Sequence, residues 1–221
     1  MSSSSPSGER SGFTERGVED YERRRYRGID QRIVHAREVR MIRAYFKVIR
    51  AAEGGGRTGA PALDLPCGYG RFTELLRSAG WAVVNSDLSL EMVRRARGKS
   101  GFAGAVADAK RGLPFPPGLF GLIFSVRFFH HVHDPSDRAA ILREFFRVSA
   151  GWVVVSFYRA NGFHGLQRRI RRLFNKSRTN IKMIEAGQFE EEARAAGFET
   201  VRVRSLFRGL HAYHLALLRK K

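Results

Sequence analysis

The sequence holds one cysteine, Cys67, in 221 residues. A lone thiol excludes an internal disulfide framework and a cysteine metal cluster, and it fits a reducing compartment. Long apolar runs are missing as well. No stretch approaches the roughly 18 consecutive apolar residues of a membrane span, and the opening MSSSSPSGERSG has no apolar segment suited to a signal peptide. Cytoplasmic residence is therefore expected, with a peripheral position at the inner membrane face as a variant. Glu9, Glu15, Glu19 and Asp20 speak against an acid-poor organelle presequence. Negative charge is scarce overall: 21 Asp and Glu face 40 Lys and Arg, a formal net charge of +19. Two readings compete, a polyanionic partner or membrane surface, and solvated helix faces that carry arginine by default.

A chain of this length with 43% hydrophobic residues can bury one sizeable core. Residues 1–15, rich in Ser, Gly and charge, read as a disordered tail, and 16–221 as one domain. From Asp30 to Glu53 the apolar residues Val34, Met41, Ile42, Tyr45, Phe46 and Ile49 recur at helical spacing until Gly54 to Gly56 stop them. This predicts an amphipathic helix with arginines facing water. Short apolar runs then alternate with helical patterns. Strands are expected at Pro61–Leu65, Trp81–Asn85, Phe102–Ala107, Leu119–Val126 and Trp152–Phe157. Helices are expected at Arg71–Ser78, Glu91–Arg97 and Asp134–Val148. After a helix at Phe189–Ala196, the runs Glu199–Leu206 and His211–Leu218 have no helix between them, so they must pair antiparallel around Arg208 and Gly209. The expected fold is α/β, a Rossmann-like doubly wound, mostly parallel seven-stranded sheet with an antiparallel C-terminal hairpin. No internal repeat is present.

Ligands in such sheets bind beyond the carboxyl ends of the strands. The first strand ends at Asp64, so the turn Cys67-Gly68-Tyr69-Gly70 lies where a ligand would sit. The dinucleotide fingerprint needs a third glycine where Thr73 stands, and the Gly-Lys-Ser/Thr of a phosphate-cradling loop is absent. A carboxylate at Asp64 repels pyrophosphate and favours a ligand with an ammonium or sulfonium.

With these residues in view, the sequence resembles the class I S-adenosylmethionine-dependent methyltransferases, in their small-molecule and lipid branch. LDLPCGYG at 63–70 is similar to their first motif, and Asp87 in VVNSDLSLEMV to their acidic residue after the second strand. AVADAKRGLPFPPGLFGLIFSVRFFHHVHD and LREFFRVSAGWVVVSFY resemble the segments that follow, and the likeness covers roughly residues 30–218. The resemblance implies S-adenosylmethionine as cofactor, held by Asp64, Pro66, Cys67, Gly68, Gly70, Asp87, Leu88, Ala107 and Asp108. Gly68 and Gly70 would let the backbone turn and approach the cofactor, and Asp64 would lie near the methionine moiety. Asp87 would accept from the ribose hydroxyls. Leu88 and Ala107 would line the adenine pocket, and Asp108 would accept from the adenine amine. Helix capping and loop solvation are the ordinary alternatives for Asp87 and Asp108. Two residues depart from the family pattern. Pro66 replaces the usual first glycine, and Gly121 replaces an aspartate before the fourth strand, which implies weaker local order there.

Methyl transfer from a sulfonium is an in-line displacement that mainly needs alignment and exclusion of water. A hydroxyl acceptor benefits from a base, and His130 or His131 after the fourth strand is the candidate, against a histidine that only bonds a neighbouring loop. Adjacent histidines rarely converge on one metal, so no metal site is assigned to His130, His131 and His133. The segment Tyr158–Lys182 has eight Lys and Arg and no acid. Leu166, Ile170, Leu173 and Phe174 recur there among Arg168, Arg169, Arg171 and Arg172, the pattern of a basic amphipathic helix. Residues 158–184 and 16–56 would form covers over the acceptor site, and the four arginines would meet an anionic substrate, an anionic membrane or RNA. No obligate protein partner is evident. The expected activity is methyl transfer to a small-molecule or lipid acceptor, anionic in one version. The alternatives are an RNA methyltransferase and a non-catalytic protein that keeps the fold.

Overall fold

The structure, a computed structural model, describes residues 29–54, 59–101, 103–159, 183–185, 187–207 and 212–221. The N-terminal tail, the arginines 168, 169, 171 and 172 of the basic cover, and the turn at Arg208 and Gly209 lie outside the described residues.

Helix α1 spans Ile29–Ala52, uninterrupted by glycine or proline, and Gly54 at φ 68° follows its end. Strand β1 is Ala62–Asp64, helix α2 Thr73–Ser78, strand β2 Val83–Asp87 and helix α3 Leu90–Ser100. Ser89 caps α3 by accepting from the Met92 amide at 3.4 Å, and Gly101 closes it in the left-handed region. Strand β3 is Gly104–Val106 and β4 Phe120–Ser125, followed by one 3-10 turn at Phe129–His131. Asp134 caps helix α4, Pro135–Val148, accepting from the Ser136 amide at 2.8 Å, with proline in the first turn where its missing donor costs nothing. Strand β5 is Ser149–Tyr158, helix α5 Gln188–Ala195, and β6 and β7 are Phe198–Ser205 and Tyr213–Lys220.

The seven strands form one sheet in the order β3-β2-β1-β4-β5-β7-β6. The first five pair in parallel, and β7 enters antiparallel between β5 and β6. This is the expected α/β, Rossmann-like arrangement with its antiparallel hairpin. The strand order reverses between β1 and β4, so the carboxyl ends of those two strands flank the crevice where a ligand fits.

Alternation along the strands divides the core between two faces. Leu63, Ile123, Val153, Val155 and Leu218 point to one, with Ile141, Leu142, Phe145 and Val148 of α4. Leu122, Phe124, Trp152, Val154 and Leu215 point to the other, with Met41, Ile42, Tyr45 and Ile49 of α1. Each such side chain contributes about 2 kcal/mol by leaving water. As expected, Arg32, Arg37, Arg40, Arg43, Lys47 and Arg50 on α1 are exposed. Gly121 sits at a register shift between β4 and β5, where its amide donates to the Pro61 carbonyl at 3.0 Å. A β-bulge stands at the place of the absent aspartate, and both Phe120 and Gly121 are buried.

Candidate active site

Asp64 ends β1, is 2% exposed, and its Oδ2 meets no hydrogen-bond partner among the described residues. Burial, reinforced by the charge of Asp87, pushes its carboxyl well above the usual range. Asp87 ends β2 and ties two loops together. Its Oδ2 accepts from the Gly68 amide at 2.9 Å and its Oδ1 from the Ser89 amide at 3.0 Å. Burial raises the Asp87 carboxyl, against the lowering by the Ser89, Gly68 and Leu88 amides. It does not cap α3, since Ser89 does that.

Between the two aspartates runs the glycine loop. The Cys67 amide donates to the Ser86 carbonyl at 2.8 Å and the Gly70 amide to the Cys67 carbonyl at 3.0 Å. The Leu65-Pro66 peptide is cis. Gly68 and Gly70 both have positive φ, 51° and 78°, but they do different work. A Cβ on Gly68 would meet nothing within 4 Å, whereas one on Gly70 would lie 3.0 Å from the Ala96 Cα and 3.1 Å from the Thr73 Oγ1. Gly68 faces open space, and Gly70 lets α3 pack against the loop. Thr73, in place of a third glycine, is buried and donates to the Asn85 Oδ1 at 3.3 Å. Burial pushes the Cys67 thiol up, helped by Asp64 and Asp87, so it is no nucleophile.

Leu88 is 70% exposed just beyond Asp87, a position for a flat apolar ligand to cover. The Ala107 amide donates to the Asp87 carbonyl at 3.0 Å, which holds the β3 end beside β2. Asp108 accepts from the Lys110 amide at 3.0 Å and lies 3.7 Å from Arg111 Nε, so its carboxylate is engaged in its own turn. The structure therefore gathers Asp64, Pro66, Cys67, Gly68 and Asp87 at the ends of β1 and β2, with Leu88, Ala107 and Asp108 along the neighbouring edge.

The histidines separate. His130 is buried, with its ring centroid 4.9 Å from that of Tyr158 at the end of β5, while His131 and His133 are exposed. His130 and His131 have ring centroids 3.9 Å apart. Among the described residues no group of three His, Cys, Asp or Glu is placed to hold a metal.

Sequence reasoning missed the most connected polar residue of this edge. Glu38 of α1 is fully buried and receives Arg127 Nε and Nη2 at 3.0 Å each, Arg71 Nη2 at 3.1 Å and the Tyr213 hydroxyl at 2.6 Å. Arg71 follows Gly70 in the loop, Arg127 follows β4 with φ 64°, and Tyr213 opens β7. Burial pushes the Glu38 carboxyl up, but the neighbouring His35, with its Nδ1 3.9 Å from Oε2, the charge and bonds of Arg127 and the charge of Arg71 outweigh it and hold it at about 2. A signal existed. Glu38 falls three, four, seven and eleven residues before Met41, Ile42, Tyr45 and Ile49, on the buried stripe of its helix. An acid there must find partners inside.

The residues suit a cationic nucleoside. Two buried carboxylates stand together, one oxygen has no donor, and the Gly68 backbone is open to close approach. Comparison with known proteins agrees. Residues 63–155 match a family model described as a methyltransferase domain. No curated protein matches in sequence. Among solved structures, magnesium protoporphyrin IX methyltransferase from Synechocystis with bound SAH is 16% identical, with a TM-score of 0.75 over 96% of this chain and 98% of that one. A TehB-like SAM-dependent methyltransferase from Corynebacterium glutamicum is 20% identical, with a TM-score of 0.62 over 94% of this chain and 100% of that one. A SAM-dependent methyltransferase from Methanosarcina mazei is 19% identical, with a TM-score of 0.62 over 77% of this chain and 96% of that one.

Proposed function

We propose, from the premise that this chain is a class I S-adenosylmethionine-dependent methyltransferase by fold and by its matched domain, that it methylates a small-molecule or lipid acceptor carrying negative charge. The observation that carries the cofactor half is the buried Asp64 carboxyl beside Asp87, whose Oδ2 has no hydrogen-bond partner among the described residues. A buried carboxylate without a donor is costly, and a sulfonium nearby relieves that cost. When bound, S-adenosylmethionine supplies an electrophilic methyl group.

The chain's own residues do the rest. Asp87 would accept from the ribose hydroxyls while keeping its bonds to Gly68 and Ser89. Leu88 and Ala107 would flank the adenine, Asp108 would receive its amine, and Pro66, Cys67 and Gly70 shape the turn that presents the Gly68 backbone. His130, walled by Tyr158, would serve as base to an acceptor hydroxyl. The exposed His131 is the alternate base. Alignment of donor and acceptor and exclusion of water supply most of the acceleration.

Calorimetry with S-adenosylmethionine tests the cofactor half: absence of binding sinks the enzyme reading and leaves a non-catalytic protein of this fold. Transfer of labelled methyl groups to fractions of cell extract then identifies the acceptor. The net charge of +19 favours RNA as the second reading. Salt-dependent retention of RNA, with labelled methyl recovered in it, would move the assignment there.

A further inference from the structure

A groove of about 630 Å³ opens between α1 and the ends of β5, β6 and β7. Arg37 and Arg40 of α1, Arg159 just after β5, and Arg204 near the end of β6 line it, with Ser205 and His214. No carboxylate lines it, and none of the four arginines makes an ion pair among the described residues. Burial holds the His214 imidazole below its ordinary range, and its Nδ1 bonds the Ala212 carbonyl at 2.8 Å, so the positive charge here belongs to the arginines.

Other arginines among the described residues are paired with acids. Arg71 and Arg127 meet on Glu38, Arg138 on Glu192, Arg147 on Glu144. Four guanidiniums around one concavity, drawn from three separate segments, repel one another and have no compensating ion pair among the described residues. Arg37 is steadied instead by the Phe207 ring, 4.4 Å from its guanidinium carbon. Such an arrangement is complementary to an oxyanion, because guanidinium forks match phosphate and carboxylate oxygens two at a time.

The groove also has the right neighbour. Arg159 directly follows Tyr158, whose ring touches both His130, at 4.9 Å between centroids, and Tyr213, at 5.7 Å. Groove and candidate base therefore share the carboxyl edge of the sheet, with the two tyrosines as the wall between them. We infer that Arg37, Arg40, Arg159 and Arg204 bind the phosphate or carboxylate group of the methyl acceptor, holding that end while the reacting atom lies by His130. This deepens the methyltransferase reading and rests on it for the identity of the ligand as acceptor. The anionic group belongs either to a soluble molecule or to a lipid headgroup.

The test uses the full chain and two probes, pyrophosphate and vesicles of phosphatidylglycerol set against phosphatidylcholine. Pyrophosphate binding, followed by calorimetry, weakens about tenfold in R40A and about tenfold again in R40A/R204A, the factor expected for each charge-assisted hydrogen bond lost. Affinity for S-adenosylmethionine stays the same in both. The control R94A/R143A, two exposed arginines on α3 and α4, leaves pyrophosphate binding unchanged. Binding of phosphatidylglycerol vesicles that disappears in R40A/R204A, without competition from pyrophosphate, assigns the lipid source. Competition by pyrophosphate assigns the soluble one. Equal affinity of the double variant and the unaltered chain for both probes, or binding of neither, overturns the proposal. A second readout needs no substitution: guanidinium Nε–H resonances of the four arginines must move on adding pyrophosphate, and fixed resonances count against the site. Failure of the unaltered chain to bind S-adenosylmethionine removes the methyltransferase reading alone, and arginine-dependent pyrophosphate binding still decides the groove.

Discussion

Replacing Glu38 by glutamine keeps the shape of the side chain but leaves one acceptor oxygen where two had served four donors. The bidentate bonds from Arg127, the bond from Arg71 and the Tyr213 hydroxyl at 2.6 Å compete for it, and the new amide points a donor at guanidiniums. Two routes give the cost. Holding the carboxyl at about 2 instead of 4.5 corresponds to about 3 kcal/mol. Breaking a buried pair by removing one member costs about 3–5 kcal/mol. A loss of about 3 kcal/mol is a large share of a domain's roughly 5–15 kcal/mol. The sign follows from the lowered pKa: the ionised Glu38 stabilises the fold fully above pH 4.5, and that contribution drains away as pH falls toward about 2. Urea unfolding followed by circular dichroism should therefore show E38Q about 3 kcal/mol less stable at pH 7, with the gap closing below about pH 4.5. A gap under about 1 kcal/mol at pH 7, or one that stays constant with pH, would refute the reasoning.

The remaining predictions concern the cofactor side. D64N removes a buried carboxylate whose pKa burial has raised, so it should stabilise the unliganded chain near neutral pH by about 1 kcal/mol or more while weakening S-adenosylmethionine binding, measured by melting and calorimetry in parallel. Affinity of the unaltered chain for S-adenosylmethionine should fall as pH drops through the raised range of Asp64 and Asp87, whereas a neutral-sulfur analogue should be less sensitive; identical profiles would remove the sulfonium from the account. G70A, with its Cβ forced to 3.0 Å from Ala96 at φ 78°, should lose about 2 kcal/mol or more of stability, whereas G68A loses about 1 kcal/mol and its larger effect falls on cofactor affinity. Cys67 should resist iodoacetamide at pH 8 in the folded chain and react on unfolding, as a buried thiol of raised pKa must.

Patterns with a short period were legible in the sequence. Alternation placed the strands to within one to three residues, and the adjacent runs before and after Gly209 required the antiparallel hairpin. The glycine loop and Asp87 were legible because the turn after a buried strand needs small residues, and a carboxylate nineteen residues beyond Gly68 returns to it through the sheet. Polar pairing across the fold was not. Arg71, Arg127 and Tyr213 reach Glu38 from three segments, and nothing local in any of them announces the meeting. What was visible, and passed over, is a charge on an apolar stripe. Glu38 holds that position on α1, and Arg138 holds it on α4, three, four and seven residues before Ile141, Leu142 and Phe145; it is 1% exposed and binds Glu192 at 2.6 Å. The arginine groove was hidden for the same reason, since its four cations come together only when β6 and β7 fold back beside α1.

The separation of these contacts along the chain also sets their order in time. The glycine loop closes through Gly68 and Asp87, nineteen residues apart, and the sequence needed for it is present once β2 exists. The edge carrying the arginine groove closes through Tyr213 on Glu38 and through the Tyr45 hydroxyl on the Leu215 carbonyl, spans of 175 and 170 residues. Long-range closure is slow, and β7 must slot between β5 and β6 before its contacts with the first helix, at Tyr213 and Leu215, can form. During synthesis the glycine loop and Asp87 can come together while the edge at β7 still awaits the end of the chain. Pulsed hydrogen exchange during refolding would register this as protection of the Cys67 and Gly68 amides ahead of those in β7.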